Sequence, residues 1–355
     1  MWIENPVFRE DMEQIVRSEF IPWNKLDGMT IFVTGATGLI GYYLVSSLLY
    51  KVTKDKIQIR ILALVRKENE AREKFTSQLK DFPESLHFLV GDLENLPEIT
   101  EPVNFIVHAG GPTSSRFFAE CPVETIGISV GGTQKVLDMA RQKHINGMVY
   151  LSSMEVYGAH QNNDKISEDS PSYLNSMIAR NSYPESKRLC EALCAAYFSE
   201  YGLPVNVLRL TQTFGPGVRQ DDQRVFAQFM KAAAQMEDIV LLTEGKTRRS
   251  YLYLADAVTA ILTLLLCNQW GEAYNAANEQ TYCTIRDMAD LIAKDIAMGK
   301  IHVRVQRADK EQLTVFVPTS CTNLDTKKIQ ALGWNPKTDL KQMFQRTIAC
   351  WSSNN

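Results

Sequence analysis

A chain of 355 residues with 45% hydrophobic and 22% charged content can bury a large core, and its length suits one large domain or two. A formal net charge of -3 leaves no basic footprint, which argues against a nucleic-acid partner. The seven cysteines include no pair at C-x-x-C spacing and the five histidines are isolated, so no metal constellation is visible and a reducing cytoplasm is the simplest setting.

Residues 1–28 read as a polar, helix-forming extension covering part of a domain surface, closed by the turn signal Asp27-Gly28. Its opening, MWIENPVFRE, carries acids where a signal peptide would carry positive charge. The longest apolar run, AVTAILTLLLC, is too short to cross a bilayer and reads as a buried helix, so no membrane association is expected.

From Met29 the pattern alternates. MTIFV suits a fully buried parallel strand, and YYLVSSLLY has the length and spacing of a packed helix. IQIRILALV is a second strand and REKFTSQLK a polar helix; LHFLVGD, VNFIVHAG, GMVYLSS and VNVLRL are further strands, with GGTQKVLDMARQK a helix among them. Strands alternating with helices predict βαβ units: an α/β fold with a Rossmann-like, doubly wound parallel sheet over 29–212. After about Phe214 the rhythm changes, and 213–355 reads as a smaller mixed lobe, some of whose segments return to the first domain.

Gly35, Gly38 and Gly41 fall between the first predicted strand and the first helix. Glycine there lets the turn tighten and lets backbone amides approach a pyrophosphate lying on the helix N-terminus. A dinucleotide cofactor follows. At the end of the second strand an acid would hold a ribose 2′-hydroxyl, whereas a cation would accept a 2′-phosphate. Arg66 and Lys67 stand there, which leans the expectation towards NADP over NAD.

Tyr183 and Lys187 are four apart in SYPESKRLCEALCAAYF, so they share one helical face. A phenol ionises near pH 10 and becomes a usable base only if a neighbouring cation stabilises the phenolate, which is the role read for Lys187. The strand end YLSSMEVYG offers Ser152 and Ser153 as the hydroxyl that shares the substrate oxygen. His108 reads as a packed residue near the pyrophosphate.

With the glycine loop upstream, this set resembles the extended short-chain dehydrogenases/reductases that modify nucleotide sugars, and within them UDP-glucuronate decarboxylases. CPVETI, SMEVYG, RNSYPESKR, TFGPG followed by DDQRV, and TRRSYLYLAD carry the likeness from Met29 to about Asp339. The resemblance implies Ser153, Tyr183 and Lys187 as catalytic residues and Glu155 as a base at C5 of the sugar. It implies cofactor contacts from Thr37, Leu39 and Ile40 in the glycine loop, from Asp92 towards the adenine, and from Leu93, Ala109, Tyr183 and Lys187. Substrate contacts are implied at Ser114, Arg116, Ser153 and Arg180. They are implied too at Gln212, in place of an asparagine, and at Arg224, Val225 and Arg249. A homodimer built on the helix carrying Tyr183 is the family's habit.

Met154 departs from the family, standing where decarboxylases have a serine and 4,6-dehydratases an aspartic acid; methionine does neither job. The expected activity is transient oxidation of a UDP-sugar at C4, giving a 4-keto intermediate that is epimerised, dehydrated or decarboxylated. One alternative is an NADPH-dependent reductase of a 4-keto sugar, which Arg66, Lys67 and Met154 would favour. The other is a catalytically silent dinucleotide sensor, against which the intact serine, tyrosine and lysine argue.

Overall fold

The computed structural model of the protein describes residues 4–306 and 319–352. Residues 1–3 of the predicted extension, and 307–318 and 353–355 of the predicted second lobe, lie outside the described residues.

The strands in chain order are β1 (Met29–Thr34), β2 (Ile59–Val65), β3 (Leu86–Val90), β4 (Phe105–His108), β5 (Gly147–Ser153), β6 (Lys165–Ile166) and β7 (Val205–Leu210). They continue as β8 (Gln212–Phe214), β9 (Ile239–Leu241), β10 (Arg248–Tyr253), β11 (Ala273–Ala276), β12 (Asn278–Thr284), β13 (Val303–Val305) and β14 (Cys321–Leu324). The helices that matter below are α1 (Pro6–Val16), α2 (Leu39–Asp55), α3 (Glu68–Lys74), α4 (Thr76–Asp81), α5 (Ser115–Glu120) and α6 (Pro122–Gln142). They are followed by α7 (Ser182–Tyr201), α8 (Val225–Gln235), α9 (Leu254–Leu266) and the last helix, Leu340–Ser352.

Seven strands form one parallel sheet in the order β11-β7-β5-β4-β1-β2-β3. The order reverses at β1, which has β2 on one side and β4 on the other. In a doubly wound sheet that is the crevice where ligands bind, at the carboxyl ends of the strands. Both faces are covered, which is why the strands read as continuous apolar runs. Ile31 and Val33 of β1 enter the core beneath α2 and α9, while Phe32 enters the core beneath α6 and α7. β11, from beyond Phe214, joins the sheet edge beside β7.

Most of the second half builds a mixed sheet, β12-β10-β14-β6, with β8 also on β10 and only the β10–β12 pair antiparallel. β8 continues almost directly from β7, and this short step links the two sheets. Every residue of α9 is buried, as the AVTAILTLLLC run requires. Among the described residues no helix is long and apolar enough to cross a membrane.

Two expectations change. REKFTSQLK forms two helices, α3 and α4, broken at Phe75. The break turns the Phe75 ring inward, fully buried, 5.0 Å from the Tyr42 ring and 5.9 Å from that of Phe88. The N-terminal segment is more than a surface cover. α1 packs on α2, α9 and the last helix, and its Phe8, Met12 and Ile15 are fully buried.

Candidate active site

The glycine loop is built by close approach. Gly35 has φ +70°, and a Cβ on it would lie 2.7 Å from the carbonyl oxygen of Ala109, beyond the end of β4. A Cβ on Gly41, in the first turn of α2, would lie 2.1 Å from the Gly35 oxygen. Gly38 caps α2 and donates its amide to Gly35 at 2.9 Å. Only glycine at 35 and 41 lets β1, β4 and α2 meet this tightly, and the result is a cradle in front of the positive end of a helix. That cradle fits a pyrophosphate. Thr37, Leu39 and Ile40 line the turn, and Lys74 from α3 donates to the Thr37 carbonyl at 2.6 Å.

His108 supports the cradle from below. Its Nδ1 is 2.7 Å from the Thr34 hydroxyl, which receives the Gly110 amide, and its Nε2 is 3.1 Å from the Thr133 hydroxyl, which donates to the Ser129 carbonyl. With Thr133 donating onwards, its oxygen accepts from His108, which puts the proton on Nε2. Burial, with Lys187 as a second cause, pushes the imidazole down to about 3. His108 is a neutral packed residue.

At the end of β2, Arg66 is exposed, and no ion pair involves it among the described residues. Lys67 is held by Glu70 at 2.6 Å. Asp92 follows β3, and its Oδ1 accepts the amides of Glu94 and Asn95 at 2.9 and 2.7 Å, so that oxygen closes its own turn. Leu93 is buried against Gly132 of α6.

Ser153 ends β5, and α7 starts at Ser182, so the strand tip and the helix N-terminus converge. The hydroxyls of Ser153 and Tyr183 are hydrogen bonded. The Tyr183 ring stacks on Phe118 of α5 with centroids 4.2 Å apart and planes 9° from parallel. Burial first, and the Glu155 carboxylate second, push the phenol above its ordinary value, against the Ser153 hydrogen bond. Lys187 is partly buried. Its ammonium donates to the Leu151 carbonyl at 2.7 Å and sits 4.7 Å from the Tyr150 ring centroid and 5.9 Å from that of Tyr183. Burial pushes Lys187 down to about 8, and Cys190 and Glu191 oppose the shift. The expected lowering of the phenol by Lys187 is therefore corrected: the charge that governs Tyr183 here is Glu155, and it acts upward.

The position of Glu155 is also corrected. It lies on the single 3-10 turn Met154–Tyr157, not on an extended segment, and its amide donates to the Ser153 hydroxyl at 3.2 Å. The turn still carries the carboxylate to the site, where it faces Arg180 at 3.8 Å. Met154 is buried, with its Sδ 3.3 Å from the Thr211 hydroxyl. Ser153, Glu155, Arg180, Tyr183 and Lys187 thus form one cluster.

The other predicted substrate contacts are spread along the rim. Ser114 caps α5 by accepting the Phe117 amide at 3.4 Å. Arg116 does not join the cluster: it is exposed and paired with Glu120 at 2.7 Å. Arg224 is held by Asp222, and Val225 begins α8, partly exposed. Gln212 lies on β8 opposite Tyr251. Of the two neighbouring arginines, Arg249 has a buried Nε with no partner among the described residues, whereas Arg248 acts on Cys283 and Asp287. An orphaned guanidinium nitrogen is costly without an anion to meet it, which singles out Arg249.

Sequence reasoning missed the buried polar network behind the cluster, in which Ser152, Glu191, Arg209, Tyr157 and Asn275 are joined by hydrogen bonds. Its one sequence signal was Glu191 at a further helical turn from Lys187. Phe118 had none. A cavity of about 520 Å³ opens beside this network, between α7 and the strands β7 and β11, and none of the four predicted catalytic residues lines it.

The model of the NAD dependent epimerase/dehydratase family matches residues 31–277. The chain belongs to that family. Its span covers the cradle, the strand tip and the helix of Tyr183 and Lys187, and a family described as NAD dependent carries the nicotinamide cofactor expected of the glycine loop. The chain is 27% identical over 336 residues to UDP-glucuronic acid decarboxylase 3 of Arabidopsis thaliana, covering 88% of this chain and 86% of that one. It is 24% identical over 345 residues to human dTDP-D-glucose 4,6-dehydratase, covering 94% and 93%. The fold matches that of UDP-glucuronic acid 4-epimerase from Bacillus cereus, crystallised with UDP-glucuronic acid and NAD, with a TM-score of 0.76, 19% identity and coverage of 92% and 100%.

Proposed function

We propose that this enzyme converts a nucleotide-diphosphate sugar, a UDP-sugar first, by transient oxidation at C4. The observation that carries the reading is the cluster of Ser153, Tyr183, Lys187 and Glu155 beside a glycine cradle. When bound, the nicotinamide supplies a hydride acceptor for C4 and returns the hydride at the end of the cycle. Gly35, Gly38 and Gly41 would hold its pyrophosphate at the N-terminus of α2. Tyr183, a phenol in the free enzyme, would take the C4 hydroxyl proton as the phenolate, a form that the positive charge of a bound oxidised nicotinamide would favour, and Ser153 shares the same oxygen through its hydrogen bond to the phenol. Lys187 provides a partly buried positive charge beneath them.

A 4-ketone acidifies C5. Glu155 stands beside Tyr183 to accept that proton or to steer loss of a carboxylate, and Arg180 balances its charge. Met154 cannot protonate a leaving hydroxyl, which favours epimerisation or decarboxylation over dehydration. Arg249, whose Nε has no partner among the described residues, supports recognition of the diphosphate.

Arg66, without an ion pair among the described residues and standing where a ribose-binding acid would stand, supports a preference for NADP. Exposed Val123 and Ile126 on α6 and Leu189, Phe198 and Tyr201 on α7 support a homodimer through these helices.

The test is to incubate the purified enzyme and NAD or NADP with UDP-glucuronic acid, UDP-glucose, UDP-N-acetylglucosamine and dTDP-glucose, and to follow products by proton NMR. An epimerised or decarboxylated sugar from any of these is the expected result. No product from any sugar with either cofactor would overturn the reading.

A further inference from the structure

Ser152 and Arg209 are direct neighbours in the β5–β7 register, and Glu191 of α7 reaches down to both. Its Oε1 accepts the Ser152 hydroxyl at 2.5 Å, and its two oxygens take Nε and Nη2 of Arg209 at 2.7–3.1 Å. The guanidinium then donates through Nη1 to the Tyr157 hydroxyl and the Glu168 carbonyl, both at 2.8 Å. Little of this is wet: the side chains of Arg209 and Glu191 are 14% and 12% exposed. Each end of the network lies next to a member of the cluster. Ser152 precedes Ser153, Tyr157 closes the turn that carries Glu155, and Glu191 stands one helical turn beyond Lys187.

We propose that Glu191 and Arg209 are positioning residues of this site, locking β5, α7 and the turn Met154–Tyr157 into the one arrangement in which Ser153, Glu155, Tyr183 and Lys187 meet. The physical case is that a bidentate, doubly capped ion pair at low exposure tolerates little displacement, so the strand tip and the helix cannot slide past one another. Sitting one turn from Lys187, the Glu191 carboxylate also sustains the ammonium against its burial. The other groups facing Lys187 offer no such charge. Cys190 and Cys194 on the same helix are buried thiols, Tyr150 from β5 presents a ring face, Tyr183 is held in its phenol form, and His108 from β4 is neutral. Glu191 is the one carboxylate among the groups acting on Lys187.

The proposal rests on Tyr183 and Lys187 being the reacting pair, and its test is read without substrate. Protein labelled with ¹⁵N-lysine is titrated, and the Lys187 Nζ resonance, assigned by its loss in Lys187→Arg, is followed by NMR. The wild type should give a midpoint near about 8. Glu191→Gln keeps the shape and the Ser152 contact but removes the charge, and should lower the midpoint by roughly one pH unit. Because that variant leaves Arg209 buried without a counter-charge, Glu191→Gln/Arg209→Met removes both charges and should show a fall of the same sign. A folded variant of either kind with an unshifted midpoint would overturn the proposal. A wild type inactive on every nucleotide sugar would count against the proposed reaction alone.

Discussion

Asp11 in the first helix and Arg346 in the last are 335 residues apart in sequence and bonded at 2.7 Å in space. The other oxygen of Asp11 accepts the hydroxyls of Tyr43 from α2 and Tyr253 from β10, at 2.9 and 2.7 Å. One fully buried carboxylate therefore ties the first and last helices to α2 and to β10. Burial raises its pKa and Arg346 opposes the rise. Removing one partner of a buried pair leaves the other charge uncompensated. Asp11→Ala is expected to cost about 3–5 kcal/mol, read as a lower urea midpoint with little change in the Kd for cofactor.

Tyr183→Phe keeps the ring stacked on Phe118 and deletes only the hydroxyl bonded to Ser153. Turnover should fall by about 10²–10⁴-fold, the usual contribution of a general acid–base group. Cofactor affinity, measured by fluorescence quenching, should stay within about threefold. Activity near wild type would remove the phenol from the mechanism.

Glu155→Gln separates the first step from the second. Reduced cofactor should still appear transiently at 340 nm, while product formation stops if C5 chemistry needs the carboxylate. The substitution also removes a charge that holds the phenol up. The limb of the pH–rate profile on which Tyr183 loses its proton should therefore move to lower pH. A variant that makes product at the normal rate would favour a simple C4 epimerase.

Arg66→Asp exchanges a phosphate partner for a ribose partner at the end of β2. The ratio of dissociation constants for NADP and NAD should shift towards NAD. A wild type that already binds NAD more tightly than NADP would show that the strand-end cation is a solvated surface residue.

Arg249→Met should weaken binding of uridine diphosphate by roughly 10–100-fold, the range of a charge-assisted hydrogen bond. Arg248→Met should leave it within about threefold, because that side chain acts on Cys283 and Asp287. Calorimetry on the two variants separates them, and equal losses would remove the distinction drawn from the orphaned Nε of Arg249.

What could be read from the sequence alone was local and periodic. Apolar runs bounded by turn signals placed the parallel strands, the 35, 38 and 41 spacing of glycines marked the cradle, and the four-position step from Tyr183 to Lys187 put both on one face of α7. Those features depend on neighbours within a turn or a strand, which the order of residues states directly. Tertiary structure decided the rest, because it depends on which distant segments meet. Sheet topology alone sets Arg209 beside Ser152, and only the packing of α7 then brings Glu191 onto both. α5 lays Phe118 over Tyr183, some sixty residues away in sequence, with no pattern to announce it. The 3-10 turn at Met154–Tyr157 re-aimed Glu155 relative to the extended chain that alternation implied. Burial is likewise a property of the assembled fold, so the balance that pushes Tyr183 up and Lys187 down could be computed by no rule of spacing.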